Sequence, residues 1–271
     1  MVSRMKPMTF ALAADETVAR PAFQELAEAI ARRGGPPLRA LWVPSYAALA
    51  QVVEAGVSDL AWTPPVVGLD LVRSGAALGL VAVARASRAA YYAALVARAG
   101  HGPRSLRALE GARMGWVSRL SAAGYRVPRL HLISLGLDPD TTFREQRFFA
   151  SHDGVYGALQ SGVVDVAATY ASLEAGGGVV RVGRDRSDLA VLTMAGPIPS
   201  DVVVARPTVG GRERRALLAA FGGLRFPAHG ALARFLGVES FVELPHGHFD
   251  PLRRWARRAE EGTLSVMRQG A

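Results

Sequence analysis

Residues 8–43 read MTFALAADETVARPAFQELAEAIARRGGPPLRALWV, and this stretch decides the fold class. Its two short apolar runs, Met8–Ala14 and Leu38–Val43, predict β-strands. Between them, Arg20–Arg33 repeats apolar residues at helical spacing and stops at Gly34-Gly35, which is a helix-ending signal. A strand, a helix and a second strand in this order are typical of a parallel βαβ unit.

The alternation of short apolar runs and amphipathic stretches continues along the chain. Further strands are predicted at Asp59–Trp62, Leu78–Arg85, Tyr91–Ala97, Ala112–Val117, Thr142–Phe149, Val163–Thr169, Leu189–Ala195 and Asp201–Arg206. Further helices are predicted at Ser45–Ala55, Ser105–Leu109, Ser121–Leu135, Ser151–Ser161, Gly211–Gly222, Gly230–Leu236 and Pro251–Glu261. Another helix should start at Pro64-Pro65, with Thr63 as its cap.

The predicted domain division rests on the alternation of strands and helices. This alternation starts again after Gly100, and Pro197-Ile-Pro199 is expected to break a strand. We therefore predict that residues 98–196 form lobe two, inserted into a lobe one made of residues 1–97 and 197–271. The expected architecture is a two-lobed α/β fold with two mixed sheets flanked by helices and a ligand cleft between the lobes.

The composition limits the possible partners. The net charge is +9 and the pI is near 10.8, but the arginines are scattered and do not interleave with aromatic residues. This pattern argues against a nucleic-acid partner. The basic surface either reflects solvated helix faces or helps to attract a small anion. The absence of Cys excludes disulfides, thiolate catalysis and Cys-ligated metals.

The first fifteen residues bear on localisation. Their apolar part is about six residues long and ends at Asp15, whereas a signal peptide needs roughly 7–15 apolar residues. No stretch approaches the roughly 18–20 apolar residues of a membrane span. As written, the chain is expected in the cytoplasm; it would be periplasmic if the natural start lies upstream.

Three predicted helix starts carry hydroxyl side chains directly after strands. They lie at Thr63, at Ser121 and at Ser151. A helix N-terminus presents unpaired N–H groups and a positive dipole end, so it suits an oxyanion. Ordinary capping is the alternative for each of them, because Ser and Thr are common N-caps.

Four segments resemble the phosphonate-binding proteins of ABC transporters, which have the type 2 periplasmic-binding-protein fold. In chain order these segments are Asp59-Leu-Ala-Trp-Thr-Pro-Pro65, Ser121-Ala-Ala-Gly-Tyr125, Phe149-Ala-Ser-His-Asp153 with Ala158-Leu159, Gly162 and Asp165-Val-Ala-Ala168 downstream, and Pro197-Ile-Pro199. In that family the hydroxyls and amides of the second segment grip phosphonate oxygens, and the His of the third segment lies in the ligand site. The resemblance therefore implies a receptor that closes on a small phosphonate-like or phosphate-like anion.

The expected ligand-binding residues are Thr63, Tyr91, Ser121, Ala122, Ala123, Tyr125, His152 and Tyr170. Thr63 and Tyr91 would meet the ligand from lobe one, and the others from lobe two. For Tyr91 and Tyr125, packing is the alternative role. Ala122 and Ala123 stand where the family has hydroxyl residues, so we expect a head group that is held less tightly or is different.

Other functions have weaker support. His246-Gly-His248 with Asp250 suggests a metal site, but the spacing supplies no third ligand, so no metal and no cofactor are expected. A cytoplasmic enzyme on the same bilobal fold, similar in architecture to menaquinone-pathway lyases, is the main alternative. His152 with Asp153 would then act as an acid–base pair, although no catalytic residue is assigned. A monomeric binding protein that serves an ABC permease or a signalling partner remains the first expectation.

Overall fold

The computed structural model describes residues 5–84, 90–173, 180–183 and 188–258. In chain order, its elements are β1 (Met8–Ala13), α1 (Glu16–Arg32), β2 (Leu38–Val43), α2 (Tyr46–Glu54), β3 (Leu60–Thr63), α3 (Pro65–Arg73), β4 (Leu78–Ala84), β5 (Ala90–Arg98), β6 (Arg113–Trp116), α4 (Val127–Ser134), α5 (Pro139–Thr142), β7 (Glu145–Phe148), α6 (His152–Gln160), β8 (Val166–Leu173), β9 (Val180–Val182), β10 (Leu189–Pro199), β11 (Val202–Ala205), α7 (Gly211–Phe221), α8 (Ala231–Leu236), β12 (Ser240–Glu243) and α9 (250–258). A 3₁₀ turn covers Leu106–Leu109, and a π-helical turn at Ala122–Arg126 leads into α4.

The chain divides into two compact units, each made of separated segments. The first unit comprises Met1–Ala90 and Ser200–His248, and the second comprises Tyr91–Pro199 and Phe249–Ala271. These bounds differ from the predicted 1–97 with 197–271 and 98–196. Strand β5 pairs with β8 and so joins the second unit. The C-terminal segment joins it too, because Trp255 of α9 packs edge-on against His131 of α4.

The first unit is built on a six-stranded mixed sheet with the order β12-β4-β11-β3-β1-β2. Strand β1 runs parallel to β2 and β3, whereas β11 is antiparallel to β3 and β4. Helix α1 buries Phe23, Leu26 and Ile30 in the core of this unit, where Phe23 contacts Phe10 of β1. The opening strand–helix–strand pattern therefore forms the parallel βαβ unit that the sequence predicts.

The second unit has its own mixed sheet, with the order β10-β5-β8-β6-β7 and β9 paired to β8. Strands β7, β6 and β8 are parallel neighbours, and β5 is antiparallel to β8. Helix α6 buries Val155 and Leu159 in one core cluster of this unit. Leu132 of α4 packs with Trp116 in the other. This sheet brings the carboxyl ends of β6 and β7 to one edge beside β8.

Two local predictions differ from the structure. Helix α1 begins at Glu16, a turn before the expected Arg20, because the Asp15 carboxylate accepts a hydrogen bond from the Thr17 amide and caps the helix there. Strand β10 continues through Pro197 to Pro199 instead of breaking, which an edge strand permits because one side of it needs no ladder hydrogen bonds.

The fold class is confirmed: the chain is mixed α/β, with two mixed sheets flanked by helices. None of the helices in the described part of the chain combines the length and the apolar character that a membrane crossing needs.

Candidate functional site

The candidate site lies in the second unit, where β6 and β7 end beside the middle of β8. The three strands are parallel neighbours, so the carboxyl ends of β6 and β7 share one edge, and β8 continues beyond them to Leu173. The π-helical turn follows β6, and α6 follows β7. The turn also contacts β8, so both helix starts are set against the same strand. We refer to this arrangement as the strand-end site.

The turn after β6 is built around Ser121. Its Oγ accepts a hydrogen bond from the Gly124 amide at 3.0 Å, and its carbonyl accepts one from the Arg126 amide five residues on. The amides of Ala122 and Ala123 precede the first intrahelical hydrogen bonds and are therefore open donors. Local π-helical geometry of this kind is frequent at functional sites.

Gly124 is the residue that permits this turn. Its amide donates to Ser121, and its carbonyl accepts a hydrogen bond from the Val117 amide at 3.0 Å. A Cβ atom at position 124 would overlap the Val117 side chain and would lie 2.8 Å from Ser121 Oγ. The backbone of the turn thus lies directly over the end of β6, which no larger residue at this position would allow.

The backbone at the second helix start, just before α6, is also sterically constrained. The Ser151 amide donates to the Phe149 carbonyl at 2.7 Å, and Ala150 between them has φ of 62°. A non-glycine residue in this region is uncommon and costs about 1–3 kcal/mol, and such residues concentrate at binding sites. Ser151 Oγ then accepts from the Gly154 amide at 3.0 Å and caps α6. The positive end of the α6 dipole therefore faces the strand-end site.

His152 is held in a defined orientation at the start of α6. Its Nδ1 lies 3.0 Å from Thr169 Oγ1 on β8, and its ring meets the Tyr170 ring edge-on at 5.0 Å between centroids. Thr169 is a buried polar residue, so the hydrogen bond forms away from most solvent. These contacts bring His152 and Tyr170, both predicted site residues, together beside β8.

The same three residues line a small hollow between α6 and the sheet. Its other walls are mostly apolar and include Val96, Val155 and Leu159, but Asp153 and Tyr156 line it as well. The space accommodates about one water molecule. The hollow is therefore an extension of the hydrophobic core that ends in polar groups.

Tyr125 takes a packing role. Its ring lies edge-on to Trp116 at 5.3 Å and tilted against Phe148 at 5.3 Å. The guanidinium of Arg119 lies 4.9 Å from the Phe148 ring centroid and within 3.4 Å of the Tyr125 hydroxyl. This aromatic stack places a cation in the loop before the π-helical turn, where it adds positive potential to the strand-end site.

Thr63 does not cap α3 as predicted. It is the last residue of β3, and α3 begins at Pro65 with Pro64 at the N-cap position and no side-chain cap. The Thr63 side chain is fully buried, and its hydroxyl donates to the Val202 carbonyl at 2.9 Å. The single Thr63 hydroxyl proton is therefore used in a hydrogen bond within the first unit.

Tyr91 lies in β5 and belongs to the second unit, although the sequence placed it in lobe one. The neighbouring Tyr92 pairs with Ala171 of β8 and packs closely against Gly196, where a Cβ would collide with the Tyr92 ring. Successive strand residues point to opposite faces, so Tyr91 faces away from Tyr92. Its side chain is half-buried.

The His246–Asp250 segment does not form a metal cluster in the described part of the chain. His248 is buried, and its Nε2 lies 3.0 Å from the Ser200 carbonyl. Burial lowers the pKa of His248, which keeps the ring neutral near neutral pH. Asp250 pairs with Arg253 at 2.9 Å.

Sequence reasoning missed two residues of the strand-end site. Thr169 was read only as the end of a strand, but its hydroxyl orients His152. Ser118 carries a buried Oγ without a hydrogen-bond partner in the described part of the chain. Ser118 comes two residues after β6, and that position was the signal that could have found it, whereas Thr169 lies in the middle of β8 and has no such signal.

Comparison with known proteins decides the family. A profile described as the periplasmic substrate-binding protein of a phosphonate ABC transporter matches residues 8–248. The chain belongs to this family. The match spans both units and includes the segments on which the predicted resemblance rests, so that prediction is confirmed.

Solved structures with the phosphonate-receptor fold agree with this assignment. The binding component of an ABC phosphonate transporter from Pseudomonas aeruginosa superimposes with a TM-score of 0.76 at 17% identity, over 96% of this chain and 89% of that one. PhnD1 of Prochlorococcus marinus in complex with methylphosphonate gives 0.74 at 14% identity, over 94% and 98%. A Xanthomonas citri protein bound to ATP gives 0.71 at 16% identity, over 95% and 98%. No curated protein sequence matches the chain.

These likenesses confirm the predicted two-lobed binding-protein fold and the solute-binding class of function. The solved structures share only 14–17% identity with this chain, so they bear on the fold, whereas the class of function rests on the family match. Ser121, Ala122, Ala123, Tyr125, His152 and Tyr170 all belong to the second unit, where His152 contacts Tyr170 and the π-helical turn contacts β8. Their contacts with a ligand stay a prediction.

Proposed function

We propose that this chain is the binding component of an ABC transporter for a small phosphonate-like or phosphate-like oxyanion, and that the strand-end site grips the oxyanion. The observation that carries the proposal is the arrangement of two helix starts, at Ser121 and Ser151, at the ends of adjacent parallel strands. A binding component of this kind works as a monomer that hands its ligand to a permease.

The donors of the strand-end site suit an oxyanion. The open amides of Ala122 and Ala123, the Ser118 hydroxyl and the dipole of α6 all present positive partial charge. Backbone donors are fixed by the fold, so little conformational entropy is lost when they bind a ligand. The site therefore holds a dianion without a Lys or Arg in direct contact.

Ala122 and Ala123 affect how tightly the site is expected to bind its ligand. Both are almost completely buried, and each offers an amide without a hydroxyl. Fewer hydroxyl donors reduce the number of charge-assisted hydrogen bonds to the head group. We expect micromolar binding of at least one phosphonate or phosphate-like anion.

The geometry of His152 favours binding over catalysis. Its Nδ1 is bonded to the Thr169 hydroxyl, which carries no charge. A general base of the His–carboxylate type would instead have a carboxylate at this nitrogen. We therefore propose a ligand-contact role for His152.

Isothermal titration calorimetry tests the proposal directly. The purified chain is titrated with phosphate, phosphite, methylphosphonate and larger phosphonates. We expect saturable binding of at least one of them, and a loss of affinity of at least tenfold in Ser121→Ala and in His152→Ala. Phosphorus NMR of the bound ligand should show no conversion.

Two matched variants control for unspecific effects. Ser134→Ala removes a hydroxyl from the other end of α4, where Ser134 bonds to the His131 carbonyl. His101→Ala removes an exposed imidazole elsewhere in the second unit. Both should bind like the wild type. If no anion of the panel binds at millimolar concentration, the ligand class is wrong; if the ligand is converted, the enzyme alternative replaces the receptor.

A further inference from the structure

A second cleft in the second unit shares no residue with the strand-end site. It is lined by Gly196, Pro197, Pro251, Arg254, Trp255 and Arg258, and its empty space is about 330 Å³, counting the part open to solvent. Gly196 and Pro197 come from edge strand β10, and the other four come from α9. The proposed function makes no use of this cleft.

Two arginines dominate the charge of the cleft. Arg254 and Arg258 lie one helical turn apart on α9, so their side chains share a helix face. Neither guanidinium has a carboxylate partner among the described residues, whereas the neighbouring Arg253 pairs with Asp250 at 2.9 Å. Two like charges at this spacing repel each other, and a bound anion would relieve that repulsion.

Trp255 forms the rigid floor between the two arginines. It is only 7% exposed, and its ring meets the His131 ring edge-on at 5.6 Å. The guanidinium of Arg258 lies 5.4 Å from the Trp255 ring centroid, which orients its N–H groups. One of the two cations is thus already positioned without a ligand.

Among the described residues that line the cleft, none is acidic. Burial lowers the pKa of His131, so its ring is neutral at neutral pH and contributes no third cation. The opposite wall consists of Gly196 and Pro197, and Gly196 packs so closely against Tyr92 that a side chain there would collide with the ring. Recognition in the cleft therefore depends on the two guanidinium groups.

We propose that this cleft is a second anion site, selective for a compact doubly charged oxyanion such as sulfate, inorganic phosphate or the phosphoryl group of an organic phosphate. A planar guanidinium donates two parallel hydrogen bonds to such a group, and two of them balance its charge. The cleft is open to solvent, so binding in the millimolar to high micromolar range is expected.

Tryptophan fluorescence provides the test, because Trp255 lies in the cleft. The full chain is titrated with sodium sulfate, and sodium chloride keeps the ionic strength constant. We expect a saturable change in emission that disappears in Trp255→Phe, while calorimetry still detects sulfate binding to that variant. Parallel titrations with phosphate and phenyl phosphate distinguish a free anion from a phosphoryl group.

The decisive comparison is between arginines on the same helix. Arg254→Gln and Arg258→Gln should each weaken sulfate binding at least tenfold. Arg257→Gln removes the same charge from an exposed residue of α9 that does not line the cleft, and it should change the affinity less than threefold. Ser121→Ala should leave this binding unchanged, which separates it from the proposed function.

Two outcomes would overturn the proposal. One is the absence of saturable sulfate binding at millimolar concentration. The other is an equal effect of all three Arg→Gln variants, which would indicate general attraction to the basic surface of the chain.

Discussion

In both units the residues that precede a central strand are arranged alike, but the helix starts that follow the strands differ. In each unit a helix is followed by a glycine with positive φ, Gly56 in the first unit and Gly162 in the second. Three residues later an aspartate begins the next strand. Asp59 accepts a hydrogen bond from the amide of Thr9, and Asp165 accepts one from the amide of Arg113, each at 2.9 Å.

The helix starts that follow the strands differ between the two units, whereas the residues that precede the strands are alike. In the first unit, α1 is capped by the Asp15 carboxylate, whose pKa is lowered by hydrogen bonds from Thr17, so a negative charge stands at the helix start. Helix α3 begins with Pro64 and Pro65, which have no N–H groups. In the second unit, the helix starts are capped by neutral serines. Helix α2 of the first unit is also capped by a neutral serine, Ser45, so the contrast concerns α1 and α3 only. The charge at the start of α1 and the missing amides of α3 disfavour an anion, whereas a serine-capped helix start favours one.

The largest expected effect comes from changing the strand exit of the second unit. In Gly124→Ala, the new methyl group collides with Val117 and approaches Ser121 Oγ, so the π-helical turn must shift. We expect the free energy of unfolding to fall by about 1–3 kcal/mol and ligand affinity to fall at least tenfold. Urea denaturation and calorimetry measure the two effects.

Gly157→Ala is the matched control in the same unit. Gly157 lies within α6, and a Cβ there has no neighbour within 4 Å. Alanine should raise the free energy of unfolding by about 0.5–1 kcal/mol and leave affinity unchanged. If Gly124→Ala behaves like Gly157→Ala, the turn does not need its close approach to Val117.

A smaller effect is expected at the strand entry of the second unit. The Arg113 guanidinium binds the Asp165 carboxylate at 2.6 Å and lowers the pKa of Asp165. Asp165→Asn replaces charge-assisted hydrogen bonds with neutral ones, which should cost about 1–3 kcal/mol near neutral pH. Ligand affinity should be unchanged, because Asp165 precedes β8 and binds Arg113 at the start of β6, whereas the serine-capped helix starts follow the other ends of β6 and β7.

This variant also predicts a pH dependence. A carboxylate with a lowered pKa in the folded state stabilises the fold above its ordinary pKa, and this contribution is lost as pH falls through the lowered value. The difference in unfolding free energy between wild type and Asp165→Asn should therefore shrink between about pH 5 and about pH 2. A difference that stays constant over this range would contradict the assigned role of the ion pair.

The smallest expected effects come from removing either of two buried threonine hydroxyls. Thr169 orients His152 in the second unit, and Thr63 bonds to the Val202 carbonyl in the first. Thr169→Val and Thr63→Val should each lower the free energy of unfolding by about 0.5–1.5 kcal/mol. Only Thr169→Val should also weaken ligand binding, by severalfold, in calorimetry. Equal affinities in the two variants would remove Thr169 from the site.

Most of the fold could be predicted from sequence because its signals are local. The apolar strands, the amphipathic helices and the glycines that end them depend on neighbouring residues only. The helix starts at Ser121 and Ser151 were found for the same reason. The predicted start of α1 at Arg20 was wrong, because the Asp15 carboxylate caps the helix at Glu16.

The sequence alone determined the α/β class, the family segments and the two serine-capped helix starts, since each is written in consecutive residues. Tertiary structure alone decided which hydroxyls remain for a ligand. The Thr63 hydroxyl donates to the carbonyl of Val202, 139 residues away, and the Thr169 hydroxyl of β8 forms a hydrogen bond with His152 of α6. Tertiary structure also placed α9 with the second unit, through Trp255 and His131. Hydrogen-bond partners and packing partners distant in sequence leave no local periodic signal, so only the folded chain reveals them.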